Sequence, residues 1–129
     1  MKRDMDLIRA LLLKIESMEI EPGGTSPALR ASDEALKIEG YTEDQVVYHL
    51  EYLIDNGLAE GSCSVDRFFH ISKLTRSGHD LVDSIRDPEI WRETKERAKK
   101  AGGFTLELLG DLAKGLLKTQ IAKHTGVEL

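Results

Sequence analysis

Four histidines, one cysteine and an HD dipeptide are the residues of this chain whose types invite chemistry. Imidazole and thiolate are the commonest zinc ligands, and sites built from them show short, regular spacings. His49, His70, His79, His124 and Cys63 match neither the intervals of a zinc finger nor a helical His pair at i and i+4. His79 and Asp80 form the dipeptide that contributes two metal ligands in phosphohydrolases, but the other His and Asp ligands of that chemistry have no counterpart. The sequence spells no Gly-rich phosphate loop, nucleophile elbow or Cys-x-x-Cys pair. The expectation is a protein that is not an enzyme and uses no metal or other cofactor.

What remains is the chemistry of contact. Arg67, Lys73 and Arg76 flank a β-hairpin and are placed to touch phosphates, although three scattered cations also describe an ordinary solvated face. Tyr48 and Tyr52, with Gln45 and Glu51, lie on the outward face of one helix, where rigid amphipathic rings suit a protein partner or stacked bases. The plain alternative is that the tyrosines cover the edge of the protein's own core. Their acidic neighbours favour a protein over a nucleic acid.

Charge is distributed unevenly. Residues 1–61 hold 6 Lys and Arg against 13 Asp and Glu, residues 62–87 balance at 4 of each, and residues 88–129 hold 8 against 6. Phosphate binding draws most of its non-specific affinity from released counterions and therefore needs a basic face. Here the helix that carries Tyr48 and Tyr52 sits in the acidic half.

At 129 residues the chain is the size of one domain with a core of its own. A single cysteine allows no internal disulfide, which fits a reducing cytoplasm. The opening MKRDMDLIR interrupts its apolar residues with charge, and no apolar run is long enough to span a bilayer, so a soluble cytoplasmic protein is expected.

Periodicity and capping residues set out the elements. A core helix is expected from about Asp4 to Met18, with Asp4 as N-cap and Ile8, Leu11, Leu12 and Ile15 on one face. Residues 20–32 are loop-forming, with room for one turn from Pro27. Ala35 to Glu39 alternate apolar and polar like an edge strand ended by Gly40. Thr42 and Gln45 form a capping box that opens a helix closed at Asn56 and Gly57. Its inner face is Val46, Val47, Leu50, Leu53 and Ile54. A short segment LAEGSCS, a turn at Val65 and Asp66, and a strand RFFHISKL make the hairpin.

Thr75 then caps a helix to Arg86, and Asp87 with Pro88 starts another that ends at Gly102 and Gly103. The last helix runs from Thr105 to about His124, with Phe104 and Leu109 as a hydrophobic staple. Its apolar face is wide, and Leu109, Leu112 and Leu116 are expected at the centre of a homodimer contact.

The segments MKRDMDLIR, IEGYTEDQVVYHLEYLIDNGLAEG, LTRSGHDLVDSIRDPEIW and GGFTLELLGDLAKGLLKTQ, in that order, resemble a small bacterial and prophage family known as domain of unknown function 2513. The resemblance covers nearly the whole chain. It implies a winged-helix-like fold and frequent occurrence in phage-derived DNA, and it brings no activity with it. One departure matters: the residues before Thr42, ALKIEGY, read as strand and turn where a helix-turn-helix needs its positioning helix. That helix is therefore shortened, displaced to Pro27 through Ala31, or missing.

The chain is expected to be an α+β, mostly helical protein: a winged-helix-like domain over 1–87, with N-terminal helix, recognition-type helix and β-hairpin wing, and a C-terminal helical extension over 88–129 in the same compact unit. Its leading function is a phage-associated protein that binds duplex DNA or regulates transcription. The rival is a protein-interaction module that uses helix 42–56 to engage a host or phage protein. A metal-dependent enzyme stands a distant third.

Overall fold

Helix starts in this protein are set by side chains that accept from the free N–H groups of the first turn. Asp4 Oδ1 accepts from Leu7 N at 3.1 Å and opens α1, Met5–Ser17. At Thr42 the box is reciprocal: Gln45 N donates to Thr42 Oγ1 at 3.2 Å, and Thr42 N donates to Gln45 Oε1 at 2.9 Å. It opens α2, Glu43–Asp55, which closes before Gly57 in the left-handed region at φ +69°. Asp87 caps α4, Pro88–Ala101, and Thr105 caps α5, Leu106–Thr125.

The computed structural model describes residues 1–18, 28–65, 68–102 and 105–126. Among them the class is α+β, mostly helical. To the four helices above are added α3, Arg76–Ile85, and three strands, β1 Ala28–Arg30, β2 Ala59–Cys63 and β3 Phe68–Leu74. The strands form one antiparallel sheet in the order β1-β3-β2. The chain divides into two compact units, Met1–Asp80 and Leu81–Leu129.

In the first unit, α1 buries Leu7, Ile8, Leu11, Leu12 and Ile15, α2 buries Val46, Leu50 and Leu53, and β3 buries Phe69, Ile71 and Leu74. Each such side chain withdrawn from water contributes about 1.5–3 kcal/mol. The register of β2 and β3 slips between Glu60, opposite Lys73, and Gly61, opposite Ile71. Ser72 is the extra residue of that bulge, and it keeps Ile71 and Leu74 on the buried face although they are three apart. Gly61 is required there, because a Cβ would collide with the carbonyl of His70.

In the second unit, α4 and α5 pack on each other. Helix α4 buries Ile90, Trp91, Thr94 and Ala98, while Arg92 bridges Glu89 and Glu96 at 3.0 and 3.1 Å on its exposed side. Exposed pairs of this kind add little stability. Helix α5 buries Leu109, Gly110 and Ala113.

Two expectations are corrected. Ala35 to Glu39 is not a strand: Glu34–Leu36 is a single 3-10 turn. Leu36 N donates to Asp33 O at 3.0 Å, the Asp33 carboxylate accepts from Arg30 N, and Leu36 alone of the turn is buried. The edge strand is instead Ala28–Arg30, so the displaced positioning helix through Ala31 is replaced by strand. On α2, Val47 and Ile54 are half-buried, and the core position between Val46 and Leu50 is taken by His49. Pro27, Asp66, Gly103 and Phe104, and with them the proposed turn, the second residue of the hairpin turn and the staple, lie outside the described residues.

Candidate functional site

Helix α2 presents the most distinctive surface of the first unit. Its ionisable residues other than His49 are Glu43, Asp44, Glu51 and Asp55, with the tyrosines Tyr48 and Tyr52, and all four carboxylates are exposed. The helix carries no Lys or Arg. Tyr48 is 38 % exposed and Tyr52 is half-buried. Residues three and four apart on a helix are surface neighbours. Tyr48 therefore stands beside Glu51, and Tyr52 beside Asp55, one turn further on.

The segment that precedes α1 crosses this helix. Arg3 Nη1 donates to Tyr52 Oη at 3.3 Å, with its guanidinium carbon 5.7 Å from the ring centroid. One residue on, Asp4 N donates to His49 Nε2 at 2.8 Å. A backbone N–H can only donate, so Nε2 accepts and the ring proton sits on Nδ1, 2.7 Å from Gln45 O. His49 is 1 % exposed and holds two elements together through a neutral ring. The Tyr48 ring stands edge-on to it, 73° between planes and 5.2 Å between centroids.

Tyr41 completes the arrangement by donating to Asp4 Oδ2 at 3.0 Å. Burial, then the hydrogen bond and charge of Asp4, then the charge of Asp6, push the Tyr41 phenol up to about 12. A phenol raised above its ordinary value of about 10 is one whose neutral form is favoured by folding. Its contribution is complete below pH ~10 and is lost as the pH rises through ~12. Urea midpoints measured at stepwise alkaline pH should therefore fall in this window, and Tyr41→Phe should flatten the fall while lowering the midpoint at pH 8. An alkaline profile unchanged by the substitution would remove Tyr41 as its cause. The same region holds a cavity of about 670 Å³, lined by Leu36, Ile38, Tyr41 and Val46 together with Glu39 and Glu43.

The hairpin residues form a second, weaker grouping. Lys73 and Arg76 are exposed, and Arg67 lies outside the described residues. The structure adds Arg30, which sequence reasoning passed over: its guanidinium lies 4.6 Å from the Phe68 ring centroid, on the strand paired with β3. Arg30, His70 and Lys73 are thus exposed on one sheet, with Lys73 directly opposite Glu60. Of the leucines assigned to a dimer contact, Leu109 is 1 % exposed within the single chain and belongs to its core, whereas Leu112 and Leu116 are half-buried. Among the described residues, no cluster of three or more His, Cys, Asp or Glu is placed to hold a metal ion, and no helix is long and apolar enough to cross a membrane.

Two comparisons bear on the identity of the chain. The model of the family described as "Hypothetical protein (DUF2513)" matches residues 2–104. An "Uncharacterized protein" of Haemophilus influenzae is 31 % identical over 126 residues, which covers 95 % of this chain and 100 % of that protein. No solved structure matches. The chain belongs to the DUF2513 family.

Proposed function

We propose that this protein is a non-catalytic interaction module built on a winged-helix-like frame, and that α2 is the surface it offers to a partner protein. The frame is supported by the order of helix, strand, turn, helix and hairpin, with β1 pairing on the outer side of β3. In that frame α2 takes the place of the recognition helix, and the single turn Glu34–Leu36 stands where a positioning helix would be.

One observation carries the choice of partner: α2 exposes four carboxylates and Tyr48, with Tyr52 half-buried beside them, and has no cation of its own. A helix so charged repels a phosphate backbone. It suits the cationic surface of another protein, because complementary potential steers encounter and suppresses wrong partners. Duplex DNA is the second reading, favoured by Arg30, His70 and Lys73 on the sheet rather than by the helix. A symmetric dimer through α5 would rest on Leu112 and Leu116, without Leu109.

The test pairs Tyr48→Ala with Tyr52→Ala. Aromatic side chains at the centre of an interface dominate its energy. The double variant should lose a nuclease-resistant complex captured from bacterial lysate while its Tm falls by only a few degrees. A large loss of stability would place the tyrosines in the core instead, and capture that persists in the double variant would remove α2 as the contact.

A further inference from the structure

We propose that the α2 face is an arginine-binding surface and that Arg3 is its built-in occupant, a placeholder that the partner's own arginine displaces. This rests on the reading of α2 given above and narrows it to a partner chemistry. The face repeats one unit, a tyrosine with a carboxylate three residues on: Tyr48 with Glu51, then Tyr52 with Asp55. At Tyr52 the tyrosine of the unit is engaged by the guanidinium of Arg3, which lies over the ring at 5.7 Å and donates to the phenol oxygen at 3.3 Å. At Tyr48, 38 % exposed, the equivalent ring is open to solvent. The protein itself therefore seats a guanidinium on one of the two tyrosines.

A guanidinium suits it better than an ammonium. It is planar, stacks on an aromatic face, and still has donors directed outward to a phenol or carboxylate oxygen. The placeholder is also weakly held. Arg3 is exposed and lies in a stretch without regular structure, residues 1–4, whose firm anchor is one residue further on. There Asp4 N reaches the buried His49 at 2.8 Å, and the Asp4 carboxylate takes Tyr41 Oη at 3.0 Å and Leu7 N at 3.1 Å. Arg3 can leave Tyr52 while Asp4 stays in place, so displacement exposes the second unit without unfolding α1. An arginine-bearing segment of the partner, with cations spaced to reach both units one helical turn apart, is the occupant that fits.

The test uses the full chain and a defined probe, an octapeptide alternating glycine and arginine, titrated at low salt by calorimetry and by amide chemical shifts on α2. Arg3→Ala removes an internal competitor worth an exposed cation–π contact, so it should tighten peptide binding about two- to fivefold. Lys2→Ala changes the net charge equally and should not tighten binding to that extent. Tyr52→Ala should weaken binding and cancel the gain from Arg3→Ala, since the two act at one place. The lysine counterpart of the peptide should bind more weakly than the arginine form. Equal tightening by Lys2→Ala and Arg3→Ala, or none from Arg3→Ala, would overturn the placeholder and leave the α2 reading standing. Absence of arginine-peptide binding by both wild type and Arg3→Ala would overturn the arginine preference, with partner capture through Tyr48 and Tyr52 still deciding the broader reading. Binding indifferent to both tyrosines would overturn the two together.

Discussion

Replacing His49 with alanine should destabilise the protein by about 2–4 kcal/mol, the range for emptying a buried site and orphaning a buried donor at once. The ring is 1 % exposed, and both of its nitrogens are engaged. Without Nε2, the Asp4 N–H loses its acceptor at the point where Asp4 also caps α1 and receives Tyr41. His49→Leu separates the two causes. It restores much of the volume but leaves the N–H unpaired, so it should recover only part of the loss. Urea unfolding at pH 8 measures both variants; a cost below about 1 kcal/mol for the alanine variant would show that the ring spans nothing important.

Gly78→Ala should cost at least about 3 kcal/mol, at or beyond the upper end of ordinary overpacking. A Cβ built on Gly78 would lie 2.0 Å from the carbonyl oxygen of Leu58, far inside contact distance. That carbonyl cannot turn aside cheaply, because it accepts from Thr75 N at 3.0 Å. Thr75 Oγ1 in turn donates to Gly57 O at 2.5 Å and accepts from Gly78 N at 3.1 Å, so the start of α3 is tied to the end of α2 at several points. Elsewhere in a helix the same substitution would stabilise by about 1 kcal/mol. Thermal unfolding should show a fall of more than roughly 10 °C. A Tm within a few degrees of wild type would mean that the backbone relaxes freely there.

These two residues also mark what the sequence could and could not disclose. Helix ends were legible because capping is local: Asp4, Thr42 with Gln45, Asp87 with Pro88, and Thr105 all act within three residues of themselves. The pairing of β2 with β3 was legible from the strand-like run RFFHISKL. Strand β1 was not, since three residues reveal no period and its partner β3 lies some 40 positions away. The alternation of Ala35 to Glu39 suggested a strand, but the Asp33 turn bonds fold that stretch first.

The candidate site divides in the same way. The acidic tyrosine face followed from helical spacing alone. From the sequence His49 reads only as a candidate metal ligand, because its actual partner is a backbone N–H 45 positions earlier, and Arg3 on Tyr52 spans 49. A polar residue at a core position of an otherwise apolar stripe was the available signal for His49; no sequence signal existed for Arg3.

Whether α2 meets protein or phosphate is tested most directly by duplex binding at low salt. Fluorescence anisotropy of a labelled random-sequence duplex, titrated with wild-type protein over falling salt, should show no saturable binding where the arginine octapeptide binds. Duplex binding with a salt slope of several phosphates, reduced by about one unit for each of Lys73→Ala and Arg76→Ala, would contradict the account and establish the hairpin as a nucleic-acid contact.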